Sequence, residues 1–165
     1  MTEPMRFHHV GIACRDLEGE AKAMLALGYR AESAEFTDAL QGIRGQFVVG
    51  PGPRMELLEQ IVGSRVLEPF LAKGVKAYHF GYEIADLDAE VERLKSAGAI
   101  LVTPPQPAIA FGGRRISFLM LKNLFLVELI ETGRYPARPQ GEGERASAIR
   151  AARTRSRFRR ADVES

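Results

Sequence analysis

Residues 7–14 alternate in the manner of a strand with one buried face. Val10, Ile12 and Cys14 fall on one side of the extended chain, and His9, Gly11 and Ala13 on the other. The period then changes. Leu17, Ala21, Met24 and Leu25 recur at helical spacing. Asp16 stands before them as an expected N-cap, its carboxylate free to accept from unpaired backbone N–H groups. Gly28 ends the run, since glycine takes the left-handed conformation at no steric cost. Residues 29–36 are weakly strand-like and 37–44 read as a loop. Residues 46–49 form a strand, Gly50-Pro51-Gly52-Pro53 a turn, and 55–59 the strand after it.

A short helix is expected within 66–71, and the order then starts again. Residues 78–84 read as a strand. Asp86 or Asp88 caps a helix whose apolar stripe is Leu87, Val91 and Leu94, and Gly98 closes it. Residues 100–102 form a strand expected to stop at Thr103-Pro104-Pro105. After a loop through Phe111-Gly112-Gly113 come strands at 116–121 and 125–130, joined by a turn at Lys122-Asn123. Each half is thus β-α-β-β-β, a class α+β pattern written twice. His9-Val10-Gly11 and Asp16-Leu17 align with His79-Phe80-Gly81 and Asp86-Leu87 at an offset of 70, and Gly28 aligns with Gly98. With the offset slipping to 72, Met55-Glu56-Leu57-Leu58-Glu59 aligns with Val127-Glu128-Leu129-Ile130-Glu131. Such self-similarity describes architecture before it describes function. A four-stranded half-sheet leaves an exposed edge, so the two halves are expected to pair.

Composition narrows the classes. The chain has 165 residues, 45% of them hydrophobic, enough for a real core in one domain or two fused modules. A net charge of +2 does not call for a nucleic-acid partner. The single cysteine, Cys14, cannot form an internal disulfide, so a reducing compartment is the default. No apolar run is long enough to span a bilayer and the N-terminal residues show no apolar signal region, so a soluble cytoplasmic protein is expected. Residues 1–135 read as the ordered domain, with modules at about 6–60 and 76–132. Residues 136–165 read as a basic, disordered tail, with seven arginines between Arg145 and Arg160. A solubilising role for this tail is favoured over contact with nucleic acid or an anionic membrane.

The repeat places two histidines and two glutamates at equivalent points, His9 and His79 on the first strand of each half and Glu56 and Glu128 on the last. A lone strand histidine is ordinarily structural, and a strand glutamate ordinarily faces water. Glu56 and Glu128 instead lie inside apolar runs, and Glu128 shares its face with Leu126 and Ile130. A carboxylate there is costly unless a cation meets it. Paired about a pseudo-twofold axis, the four side chains would make a mixed N/O site for a divalent ion, with positions left for water or a bidentate substrate.

Several stretches carry a further likeness: His8-His9-Val10-Gly11-Ile12-Ala13, Gln41-Gly42-Ile43, Met55-Glu56-Leu57-Leu58-Glu59, Tyr78-His79, Gly112-Gly113-Arg114-Arg115-Ile116-Ser117-Phe118 and Leu126-Val127-Glu128-Leu129. Over residues 6 to about 132 the chain resembles the vicinal oxygen chelate superfamily of glyoxalase I, extradiol dioxygenases and methylmalonyl-CoA epimerase, and most of all the epimerase branch. The resemblance implies two tandem βαβββ modules forming a curved mixed sheet around a metal cleft. It implies metal ligands at His9, Glu56, His79 and Glu128, holding one divalent ion of cobalt, nickel, manganese, zinc, iron or magnesium. It implies epimerase or isomerase chemistry on an acyl-CoA such as methylmalonyl-CoA, by α-proton abstraction through a metal-bound enolate, with Glu128 and Glu56 as bases, and a homodimer. A glyoxalase I-like lyase and a non-catalytic small-molecule binder are the alternatives. Gln41, Arg44, Phe111, Arg114 and Arg115 are candidates to line the substrate mouth. Three departures stand out. No acid follows Gln41-Gly42-Ile43, Tyr78 replaces the first of a His-His pair, and Leu119-Met120 follows Phe118 where the branch has His-Pro.

Overall fold

The computed structural model describes residues 4–133; the expected basic tail at 136–165 lies outside the described residues. The first half runs β1 (Arg6–Cys14), α1 (Leu17–Ala26), β2 (Arg30–Ala31), β3 (Phe36–Asp38), β4 (Ile43–Val49) and β5 (Met55–Gln60). After α2 (Glu68–Leu71) the second half runs β6 (Ala77–Ile84), α3 (Leu87–Ser96), β7 (Ile100–Pro107), β8 (Arg115–Met120) and β9 (Leu126–Glu131), with a 3₁₀ turn at Ile109–Phe111 before β8. The strands join in one nine-stranded mixed sheet of order β2-β4-β5-β1-β6-β9-β8-β7, with β3 added alongside β4. The halves meet within one chain. β1 pairs antiparallel with β6, and each is flanked by the last strand of its own half, β1 by β5 and β6 by β9, both parallel.

Alternation along the strands sorts the core onto two faces. Val10, Ile12, Cys14, Val48 and Leu57 pack under α1 with Leu17 and Tyr29, and Leu119, Val127 and Leu129 pack under α3 with Leu87 and Val91. The opposite face holds Phe47, Phe111, Ile116 and Ile130 in one cluster and Ala13, Ile43, Leu58 and Leu67 in another. Between them, on that same face, lie His9, Glu56, His79 and Glu128, all buried.

Three local expectations change. Asp16 is the N-cap of α1, but its side chain caps nothing. The Leu17 N–H donates instead to Glu59 Oε2 at 2.7 Å, because the parallel pairing of β1 and β5 sets Glu59 opposite Cys14. Its counterpart Asp86 does cap α3, accepting from the Ala89 N–H at 3.0 Å. Residues 37–44 are not all loop, since β3 and the start of β4 pair Thr37 with Arg44. β7 runs past Thr103 through Pro104 and Pro105 to Pro107. It is the last strand of the sheet, and proline, lacking an N–H, is tolerated on such an edge.

Candidate metal centre

The β1–β6 seam builds the centre. Its register sets His9 opposite Gly81 and Gly11 opposite His79. A Cβ on Gly11 would run into the ring of His79, and one on Gly81 into the ring of His9. Each imidazole therefore lies over the glycine of the other module, so the repeated His-x-Gly is one interlocking device. The two rings meet edge to face, Nε2 to Nε2 at 2.9 Å. β5 and β9 bring the carboxylates from either side, since Glu56 pairs with Gly11 and Glu128 with Gly81. Glu56 Oε2 lies 3.1 Å and Glu128 Oε2 3.3 Å from His9 Nε2, and both lie 3.6 Å from His79 Nε2. One atom from each of the four side chains falls within 4.8 Å of the other three.

Burial disfavours the imidazolium, yet the carboxylates outweigh it. Beside Glu56 and Glu128 the pKa of His9 is raised to about 9, and that of His79 is raised as well. Burial likewise opposes the Glu56 carboxylate, but His9 and His79 hold its pKa down to about 2. Protons alone do not satisfy the cluster. Buried Glu128 Oε2 and His79 Nδ1 have no hydrogen-bond partner, although the former is close to His9 Nε2. A buried carboxylate oxygen without a donor is expensive, and a cation would remove that cost. Two imidazole nitrogens and two carboxylate oxygens around one point suit a divalent ion of intermediate character.

Two bulges shape the surroundings. The β1–β6 register slips between Phe7 and His9 and again between Gly11 and Ile12, so His8 is extra on β1 and Tyr78 on β6. Such bulges re-aim side chains. His8 turns to set its Nδ1 2.9 Å from His9 Nδ1, while its Nε2 accepts from Arg54 Nη1 at 2.9 Å. Burial, with help from His9 and Arg54, lowers the pKa of His8 to about 4, keeping it neutral. Tyr78 stands edge-on to His79, and burial pushes its hydroxyl pKa well up.

A cavity of about 370 Å³ opens onto the two glutamates, within the range of small-ligand sites. Its walls are largely apolar, with Ile43 and Leu58 from the first half, Leu67 and Phe70 from the linker, and Phe118 and Leu126 from the second half. Gln41 lines it, as do Tyr78, which stood out as a departure from a His-His pair, and Thr103 and Gln106, which no motif marked as site residues. The other candidates lie elsewhere. Arg44 pairs with Glu59 at 2.9 Å and Arg114 with Glu83 at 3.0 Å. Arg115 points to the helical side and binds Glu131 and Asp88 at 2.7 and 2.9 Å. Phe111 is buried against His9, His8 and Phe47. Each arginine meets a carboxylate from a neighbouring element, which turns it from the cavity.

Residues 8–118 match the model of the glyoxalase/bleomycin resistance protein/dioxygenase superfamily. The chain belongs to that superfamily. Among its relatives, the ethylmalonyl-CoA/methylmalonyl-CoA epimerase of Cereibacter sphaeroides is 32% identical over 128 residues, 75% of this chain and 96% of that protein. The methylmalonyl-CoA epimerase of Mycobacterium tuberculosis superposes with a TM-score of 0.66 at 30% identity, over 78% of this chain and 88% of that one. A variant of the Streptomyces coelicolor methylmalonyl-CoA epimerase, in complex with 2-nitronate-propionyl-CoA, gives 0.66 at 25% identity, over 79% and 99%. No acid follows Gln41-Gly42-Ile43 in Arg44-Gly45-Gln46, and Gly45 is tightly enclosed. A Cβ on Gly45 would come within 2.8 Å of Leu57 O, Leu58 Cδ2 and Phe36 Cζ, so a side chain there would force its neighbours to shift. Among the described residues no helix is long and apolar enough to cross a membrane.

Proposed function

We propose that this protein is an epimerase of α-branched acyl-CoA thioesters such as methylmalonyl-CoA, acting at the Glu56–Glu128 end of the cavity. The observation that carries the reading is the convergence of two buried carboxylates and two buried imidazoles at a cavity that is otherwise largely apolar. The kinship to acyl-CoA epimerases supports the substrate class. His9, Glu56, His79 and Glu128 would hold one divalent ion. When bound, it supplies a Lewis acid that polarises a carbonyl.

Inverting a carbon centre by proton transfer needs a base on each face. Glu128, as the carboxylate, removes the α-proton from one side. Glu56, its counterpart across the β1–β6 seam, must enter that turnover protonated to give its proton to the other side, so that the two end with their protonation states exchanged. Glu56 is the other carboxylate in the cavity wall, which supports it in this second role. The apolar walls exclude water, so the carbanionic form is less readily quenched by solvent. Gln41, Tyr78, Thr103 and Gln106 are the polar uncharged groups in the cavity wall that could orient the acyl-CoA. On the family resemblance we also read the protein as cytoplasmic and as a homodimer of its 18.2 kDa chain.

The deciding experiment incubates protein loaded with cobalt or manganese with one epimer of methylmalonyl-CoA in D₂O. Deuterium at the α-carbon together with loss of configuration is the expected result. Inert acyl-CoA and turnover of a hemithioacetal would replace this reading with that of a glyoxalase-type lyase.

A further inference from the structure

Asp38 is buried at the end of β3, outside the cluster of His9, Glu56, His79 and Glu128. Its carboxylate is nonetheless well occupied. Oδ1 accepts from the backbone N–H groups of Leu40 and Gln41 at 3.1 and 3.2 Å. Oδ2 accepts from Gln41 Nε2 at 3.2 Å and from the Ile109 N–H at 3.0 Å, 71 residues away in the other module. All four partners are donors, and two meet at Oδ2. One of those two belongs to the turn that carries Phe111, which packs on His9. The other belongs to Gln41, in the cavity wall.

We infer that Asp38 is a positioning residue that fixes the orientation of the Gln41 amide, so that Gln41 offers its Oε1 acceptor to an N–H or O–H donor on the ligand. The logic is one of satisfied valences. A carboxylate accepts and cannot donate, so the amide must turn its NH₂ toward Asp38, and the carbonyl oxygen is what remains. An acyl-CoA carries suitable donors in the amides of its pantetheine arm, and to that extent the inference rests on the reading of the cavity as an acyl-CoA site. A chain of fixed hydrogen bonds also discriminates more sharply than a freely rotating amide.

Asp38→Asn is the informative change. With Oδ1 still accepting two backbone N–H groups, the new NH₂ falls where Oδ2 was and faces Gln41. The Gln41 amide must then flip, presenting a donor to the ligand, while the Ile109 N–H loses its acceptor. Asp38→Asn and Gln41→Met should each raise KM for methylmalonyl-CoA by roughly tenfold, with kcat changed less than about twofold. The double variant should be no worse than the weaker single. In ¹⁵N spectra of the protein without substrate, the Gln41 side-chain amide and the Ile109 amide should be slow to exchange, and both should become fast in Asp38→Asn. An unchanged KM in Asp38→Asn, a loss falling on kcat alone, or additive losses in the double variant overturn the inference. If the wild-type protein leaves acyl-CoA untouched, the functional reading falls. The exchange spectra then decide by themselves whether Asp38 holds Gln41, and fast exchange of both amides in the wild type rejects that.

Discussion

At the scale of single residues the sharpest consequence concerns Glu56. Gln in its place keeps an oxygen ligand but removes the basic carboxylate. Glu56→Gln should cut exchange of the substrate α-proton by on the order of 10²–10⁴-fold, while calorimetric metal affinity falls less than about tenfold. Equal losses of both would reject the two-base scheme. His8 is the second test. It props the ring of His9 through Nδ1 and is itself held by Arg54, and partners behind a ligand are typically worth 10–100-fold in metal affinity. His8→Ala should therefore weaken cobalt binding by roughly tenfold or more without moving the absorption bands far; unchanged affinity would make His8 a bystander. The four convergent groups were legible in the sequence because the repeat put them in register and because apolar neighbours made their charge anomalous. His8, Tyr78 and Asp38 were not. The first two are re-aimed by bulges that alternation cannot foresee, and Asp38 finds its Ile109 partner only through the folded contact between modules. The carboxylate partners of Arg44, Arg114 and Arg115 were not legible either, since a charge near a conspicuous motif says nothing about the carboxylate opposite it.

At the scale of elements, periodicity located both long helices and most strands, and its failures share a cause. Long-range partners decided them. The start of α1 is capped by Glu59 from a strand 42 residues away, so Glu59→Ala should lose about 1 kcal/mol, read by urea unfolding, with a further small loss as Arg44 gives up the shorter of its two ion pairs and keeps the one to Glu35. Asp16→Ala should cost little, because its side chain accepts no capping bond. If Asp16→Ala proved the more damaging, the assignment of the cap would be wrong. β7 outran its predicted end because edge position forgives proline, a property of sheet order rather than of local sequence. Cys14 shows the element protecting a group: it lies under α1, its thiol donates to Leu58 O at 3.2 Å, and burial pushes its pKa to about 12. The folded protein should resist iodoacetamide at pH 8, whereas the urea-unfolded chain reacts promptly. Since the folded pKa is raised, this thiol favours the folded state below the unfolded pKa of about 8.5 and works against it as pH climbs from there toward 12.

At the scale of the whole molecule, the duplication makes the candidate metal centre a joint between modules. Each half contributes one imidazole and one carboxylate, and each histidine rests on the other half's glycine. A ligand held equally by both halves must stabilise both or neither. At a metal concentration near a thousand times Kd the gain is about 4 kcal/mol, a rise in Tm on the order of 10 °C for a domain of this size. Heating should show one transition with and without chelator, shifted as a unit. Hydrogen exchange gives the stricter form of the test. Metal should slow the amides of β5 in the first module as well as those of β9 in the second. His79→Asn, though it alters only the second module, should abolish the slowing in β5. Slowing that survived in β5 would mean the first module binds the ion alone, and the joint would be no more than two adjacent half-sites. Loss in both strands together leaves the shared ion as the simplest account of why the two halves were kept in register at these four residues.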